Sequence, residues 1–311
     1  MTAGERKGSP GNAGDAEAAE AAVKRLADNK LGILWMSGAA LSLTAMYVAA
    51  RELGSVMPTF EMVFLRSLFT IALMLPWLCR QGLGRLRTTK PLLHGARGVS
   101  TFIAMSLMLY GVANAPLADA SALQSTYPLF TIVLAIFIVG EKPGSRRVVA
   151  ALAGFAGILV IVRPGFSEVG PATLALLGCS VFYALSNNVV KLIARADPPT
   201  MMVFSVNAII LALSAIPTAF IWVTPPLWSA PWIALLAFSG FAAHSCLTRA
   251  LSYGEAAVVM PFDYLRLPFA ALVGFWLYME VPDWPTVVGG LIIFASVSYI
   301  ATREAKPKAS T

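Results

Sequence analysis

Little in this 311-residue chain is equipped for chemistry in water. Charged residues make up only 13% of it, and it has two histidines, His94 and His244, and three cysteines. Cys79, Cys179 and Cys246 are scattered through apolar segments, which excludes both a disulfide framework and the paired spacing of a thiolate metal site. The phosphate-cradling loop G-x-x-x-x-G-K-[ST] is missing, so the chain carries no ATP-hydrolysing motor of its own. H-E-x-x-H and G-x-S-x-G are missing as well. No catalytic residue, metal or cofactor is therefore assigned, and an intramembrane enzyme would need a triad or metal cluster to support it.

What the chain has in abundance is apolar length. It is 58% hydrophobic with a mean hydropathy of +0.73. A soluble protein of this size must wet its outer layer and has no use for so much apolar surface. The composition predicts an all-α polytopic membrane protein, because lipid offers the backbone no hydrogen bonds and a helix satisfies its own. A span needs about 20 apolar residues. Ten transmembrane helices are placed near 31–50, 58–79, 92–113, 118–139, 146–163, 170–192, 199–222, 231–252, 255–279 and 284–301. Residues 1–29 read as a cytoplasmic tail, largely disordered and helical from about Ala16, with no cleaved signal peptide. Residues 304–311 form a second short cytoplasmic tail.

The net charge of +7 is a topology signal. With both termini in the cytoplasm, 19 of the 23 lysines and arginines lie inside, Arg51 and Arg163 lie outside, and Arg66 and Arg266 lie within spans. This is the positive-inside bias, and it calls for no nucleic-acid partner.

The second five segments echo the first five. P-T-F-E-M-V-F at 58–64 parallels P-P-T-M-M-V-F at 198–204, at an offset of 140. Pro128 and Pro268 keep that offset, and Glu141 and Glu280 miss it by one residue. An odd number of spans per copy inserts the second copy upside down. The chain is thus read as two inverted five-helix repeats, 30–165 and 166–303. In that plan the binding site lies at the bilayer midplane between the halves.

Polar residues within spans are the candidates for that site, since an ionised group at the bilayer centre costs about 2.5–3.5 kcal/mol. Arg66, in F-L-R-S-L-F, is either a cation on the transport route, binding carboxylate or phosphate, or half of an internal ion pair. Glu61 lies about 140° from it around the helix and reads as a solvated or gate residue. Asp263 and Arg266 share a helix face. They form a neutralised pair, or Asp263 exchanges protons and Arg266 meets an anionic substrate. Tyr264 stands between them. In the fourth span Ser121, Gln124, Ser125 and Tyr127 form a polar wall facing the ninth span. Of the adjacent amides Asn187 and Asn188, one faces the cavity, and Asn187 is chosen. His244 is a hydrogen-bonded core residue or a proton carrier. Met46, Met105 and Met108 suit a flat or partly apolar ligand. Pro128, Pro261 and Pro268 are candidate hinges. Ala150, Ala153, Gly154 and Gly157 in the fifth span, with Gly289 and Gly290 in the tenth, read as packing or dimer faces, and a homodimer is one partner considered.

The stretches F-L-R-S-L-F at 64–69, P-L-A-D-A-S-A-L at 116–123, Y-P-L-F at 127–130, G-E-K-P at 140–143 and R-R-V-V-A-A-L-A-G-F-A-G at 146–157 resemble the EamA family of the drug/metabolite transporter superfamily. V-R-P-G at 162–165 and G-G-L-I-I-F-A-S at 289–296 extend the resemblance, although the second half lacks the glycine before Glu280. The resemblance implies ten spans from a duplicated five-span unit. It also implies a carrier of small metabolites in the bacterial inner membrane, with protons among the candidate coupling ions. The expected function is a secondary active transporter moving an amino acid, vitamin or drug-like compound by alternating access. The competing reading is a facilitative channel or uniporter for small polar solutes. The expected partners are a small-molecule substrate and the lipid bilayer.

Overall fold

The computed structural model describes residues 11–81, 88, 90–138, 140, 145–163, 169–193, 197, 199–253 and 256–304. Residues 1–10 and 305–311 of the tails lie outside the described residues, as do Glu141 and the rest of the G-E-K-P motif beyond Gly140. Among the described residues every regular element is helical. The first half contributes α1 (Gly11–Gly54), α2 (Thr59–Gln81), α3 (Pro91–Asn114), α4 (Leu117–Gln124), α5 (Tyr127–Ile138) and α6 (Ser145–Val162). The second contributes α7 (Pro171–Ile193), α8 (Pro199–Ile221), α9 (Ala230–Tyr253), α10 (Ala256–Val259), α11 (Arg266–Tyr278) and α12 (Trp284–Glu304). Seven stretches are long and apolar enough to cross a membrane, one of them Leu117–Ile138, and two shorter apolar helices run Val148–Val162 and Trp284–Tyr299.

Two elements depart from the sequence reading. Helix α1 begins at Gly11, inside the tail expected to be largely disordered. Its start is rich in alanine, glutamate and lysine, which lose little entropy on becoming helical. The ninth span is not one helix. It is α10, a 3-10 segment Met260–Leu265, and then α11. The fourth is also interrupted, at Ser125–Thr126 between α4 and α5. Pro128 and Pro268 each fall in the first turn of the helix after the break, where a missing N–H leaves no hydrogen bond unmade.

The packing shows the duplication more plainly than the sequence does. Pairing α1, α2, α3, α4–α5 and α6 with α7, α8, α9, α10–α11 and α12 matches the two halves in order. The most extensive helix contacts are α1 with α9, α3 with α7, α6 with α12 and α2 with α8. Exchanging the halves turns the first contact into the second and the other two into themselves. Helices α2 and α8 even carry matching internal prolines, Pro76 and Pro217. Where the second half lacks the glycine before its glutamate, the backbone keeps the shape: Gly140 has φ +74° and Met279 has φ +55°. Met279 takes the left-handed cap of α11 despite its Cβ, a conformation that glycine adopts freely.

The small residues of spans five and ten meet each other inside the monomer. A Cβ added to Gly157 would lie 2.9 Å from the Gly289 carbonyl oxygen, and one added to Gly289 would lie 2.6 Å from that of Gly157. Backbone presses on backbone, so nothing can rotate aside. We expect Gly157→Val to cost at least about 1–3 kcal/mol through overpacking, read as a lower melting temperature of the purified protein. An unchanged melting temperature would contradict this crossing.

Candidate substrate site

The two interrupted spans lie against each other at their breaks. Arg266, the first residue of α11, donates from Nε to Ser125 Oγ at 3.2 Å, and the Tyr264 hydroxyl donates to the Ser125 carbonyl at 3.4 Å. The guanidinium also lies 3.7 Å from the Asp263 carboxylate and 5.9 Å from the centre of the Tyr127 ring. The structure therefore brings Tyr127, Asp263, Tyr264 and Arg266 together at one place between the halves. Tyr47 of α1 faces the same group, and its buried hydroxyl has no partner among the described residues. It was not recognised as a site residue from the sequence, because membrane tyrosines commonly sit at the interfaces.

A row of thioethers connects this centre to Arg66. Gln124 Nε2 donates to Met108 Sδ at 3.1 Å, the Tyr183 hydroxyl donates to the same sulfur at 3.9 Å, and Arg66 Nη1 donates to Met105 Sδ at 3.0 Å. Met105 and Met108 lie one turn apart on α3, so their sulfurs share a face. Arg66 is packed on Gly240 of α9, where an added Cβ would stand 2.7 Å from Arg66 Nε. One turn further along α9, His244 is exposed, and Arg66 and Arg97 are the cations near enough to act on it.

Asn187 is exposed and lies one turn from Tyr183 on the same face of α7, whereas buried Asn188 donates to the Ala184 and Thr131 carbonyls. Glu61 is fully buried, with one oxygen accepting from the Val223 backbone N–H at 3.2 Å. A cavity of about 480 Å³ lies beside the site, lined by apolar groups of α4, the 3-10 segment, α11 and α12, and Tyr264 is the residue it shares with the polar cluster.

Charged ties flank this interior. On one face Arg51, at the end of α1, pairs with Glu280 at 2.5 Å and donates to the Ala115 carbonyl. Glu280 also accepts from the Leu117 backbone N–H at 2.9 Å, capping α4. Arg163 pairs with Asp283 nearby at 2.9 Å. On the other face His94 Nδ1 lies 2.6 Å from Ser205 Oγ and its Nε2 lies 2.8 Å from Asp197. The trio has the composition of a hydrolase triad, but it is buried and its ring nitrogens are reversed relative to one, with Nε2 on the carboxylate. Its effect is to fasten α3 to α8 and to the α7–α8 connection.

Hydrogen bonds from Thr88 and His94 hold the Asp197 carboxyl below its ordinary range. A depressed folded-state pKa stabilises fully above the unfolded value, near about 4, and that stability is lost as pH falls through the folded one. The melting temperature is therefore expected to drop in acid, and Asp197→Asn should flatten this drop. An identical acid profile in the variant would remove Asp197 from the tie.

A polytopic bundle with unpartnered polar groups buried between two matching halves, and relatives that carry solutes, defines a multi-pass membrane transporter and not an enzyme. The chain belongs to the EamA-like transporter family, whose model matches residues 30–163 and again 170–302. It lies within the drug/metabolite transporter superfamily. The chain is 29% identical to an S-adenosylmethionine uptake transporter of Rickettsia bellii, over 89% of this chain and 95% of that one. It is 29% identical to a riboflavin transporter of Vibrio cholerae over 88% and 94%, and 29% identical to a pseudopaline exporter of Pseudomonas aeruginosa over 88% and 98%. A solved crystal structure shares the fold with a TM-score of 0.61 at 22% identity, covering 91% of this chain and 99% of the other.

Proposed function

We propose that the chain is a secondary active transporter that moves a small organic metabolite across the bacterial inner membrane by alternating access. In this reading ten spans form two inverted repeats, with both termini cytoplasmic. The observation that carries it is the meeting of the two broken spans at Ser125 and Arg266, surrounded by buried polar atoms without partners. These are Tyr47 Oη, Ser121 Oγ and Gln124 Oε1, which have no hydrogen-bond partner among the described residues. Buried polar groups are normally satisfied, so several unsatisfied together mark a place suited to the polar groups of a solute. Pro128, Pro261 and Pro268 serve as hinges at the breaks. The relatives' named cargoes, S-adenosylmethionine, riboflavin and pseudopaline, set the size class of the metabolite. Asp263 is already paired with Arg266, which leaves His244, one turn along α9 from Gly240, as the candidate proton carrier.

Proteoliposomes holding the purified protein test this. A carrier gives saturable flux and accelerated counterflow of a preloaded solute. Flux that rises linearly with concentration and shows no counterflow would favour the channel instead. Dependence of that flux on an imposed pH gradient, abolished in His244→Gln, is expected if protons are coupled.

A further inference from the structure

The cavity of about 480 Å³ beside the breaks suits an occupant unlike a polar metabolite. Of its lining side chains only Tyr264 and Thr286 carry a polar atom. Both are spent elsewhere: the Tyr264 hydroxyl donates to the Ser125 carbonyl, and the Thr286 hydroxyl donates to Asp119 at 2.6 Å. The groove therefore offers a ligand no free side-chain hydrogen bond. Sites for small polar molecules keep a few such groups to fix orientation, and this one keeps none.

Its shape and place fit the bilayer. Val287, Leu291 and Phe294 line it from α12, spaced four and three residues apart on one stripe. All three are exposed, Leu291 to 61%, which on an apolar helix of a membrane protein means exposure to lipid. From Thr286 to Phe294 this wall rises about 12 Å, close to the roughly 15 Å of hydrocarbon in one leaflet. At the Thr286 end stand Pro282 and, next to it in the chain, Asp283, paired with Arg163 at 2.9 Å. The Asp283 side chain is 72% exposed. Trp284 beside it is exposed too, and tryptophan collects at headgroup level.

We infer that the groove holds one acyl chain of a zwitterionic phospholipid of the phosphatidylethanolamine type, with its headgroup at the Arg163–Asp283 pair. A void would forfeit the dispersion contacts of its walls, and a chain drawn in from the bilayer restores them. The phosphate meets the Arg163 guanidinium, which has N–H groups beyond the one used on Asp283. The ammonium meets the Asp283 carboxylate. An anionic headgroup without an ammonium leaves that carboxylate facing like charge, which is the source of the preference. Pro261 and Pro268, which bracket the break in the ninth span, line the same groove, so the chain packs against the break itself. Only the multi-pass membrane setting is required, and no particular cargo.

The test uses the full-length protein, stripped of lipid in detergent and titrated with phosphatidylethanolamine or phosphatidylglycerol of the same acyl chains. Native mass spectrometry counts bound lipid, and thermal unfolding reads stabilisation. Phosphatidylethanolamine is expected to bind and stabilise at a concentration about tenfold lower. Gly290→Leu fills the groove from α12, where an added Cβ meets nothing within 4 Å and leucine is the better helix former. Ala271→Leu fills it from α11. Both should keep the parent's lipid-free melting temperature and lose the bound phosphatidylethanolamine; should one fail to fold, the other decides. Leu152→Phe, on the exposed apolar face of α6 and outside the groove, should retain the lipid. Arg163→Gln combined with Asp283→Asn should bind the two lipids equally. Undiminished binding in the filled variants would overturn the chain site, and equal binding of the two lipids by the parent would overturn the headgroup assignment. A parent that retains no lipid would overturn both, and vesicle flux, read separately, judges the carrier.

Discussion

Arg266→Met is expected to destabilise the protein by about 3–5 kcal/mol, because it strands the Asp263 carboxylate in the interior. The guanidinium also supplies a hydrogen bond to Ser125 and the positive charge over the Tyr127 ring, so both broken spans lose their shared contact. Little folded protein should survive extraction. The double variant Asp263→Asn with Arg266→Met removes both charges and should recover much of the loss, since neutral isosteres need no counter-charge. Neither variant should transport. Thermal unfolding of the three proteins in one detergent checks this. A single variant as stable as the parent would mean that neither the Asp263 pair nor the Ser125 contact of Arg266 matters to folding.

Glu280→Ala has the second large expected effect, on conformation more than on folding. In the proposed alternating-access cycle the carboxylate would close one face, since it holds Arg51 and the Leu117 N–H together. Hydrogen bonds to a charged group contribute about 1.5–3 kcal/mol each, so losing the tie should shift the equilibrium toward the opened face by roughly ten- to hundredfold. A cysteine introduced at buried Ala118 reports the change. Its reaction with a membrane-impermeant maleimide added on that side should accelerate by about tenfold or more in the Glu280→Ala background. Equal labelling rates in both backgrounds would show that the tie does not govern closure.

The bundle of apolar helices was legible because span length is fixed by the bilayer, and the duplication was legible because prolines recur at one offset and glutamates within one residue of it. Other features were hidden for physical reasons. The breaks in spans four and nine were foreshadowed by Pro128, Pro261 and Pro268. They were not locatable, since the apolar residues run on through Ser125–Thr126 and Met260–Leu265 without a polar interruption long enough to read as a loop. Glu61 looked solvated because its partner, the Val223 N–H, is a backbone group far away in the chain. Arg51 and Glu280 were visible as charges near span ends, but their meeting depends on how α1 and α11 pack, which no local signal encodes. Gln124 and Tyr127 were legible as candidates because such residues are expensive in lipid wherever they point.

The interruption at Ser125–Thr126 also has a mechanical meaning. It makes α4 a rigid arm of eight residues, about 12 Å long, anchored at the break and latched at its tip by Glu280. Geometry then supplies leverage: a tilt of about 10° at the anchor moves the tip by roughly 2 Å over that length. That is enough to part a hydrogen bond of 2.9 Å. On the proposed alternating-access reading, a small rearrangement at the break would thus be felt, enlarged, at the end of α4 that Glu280 caps.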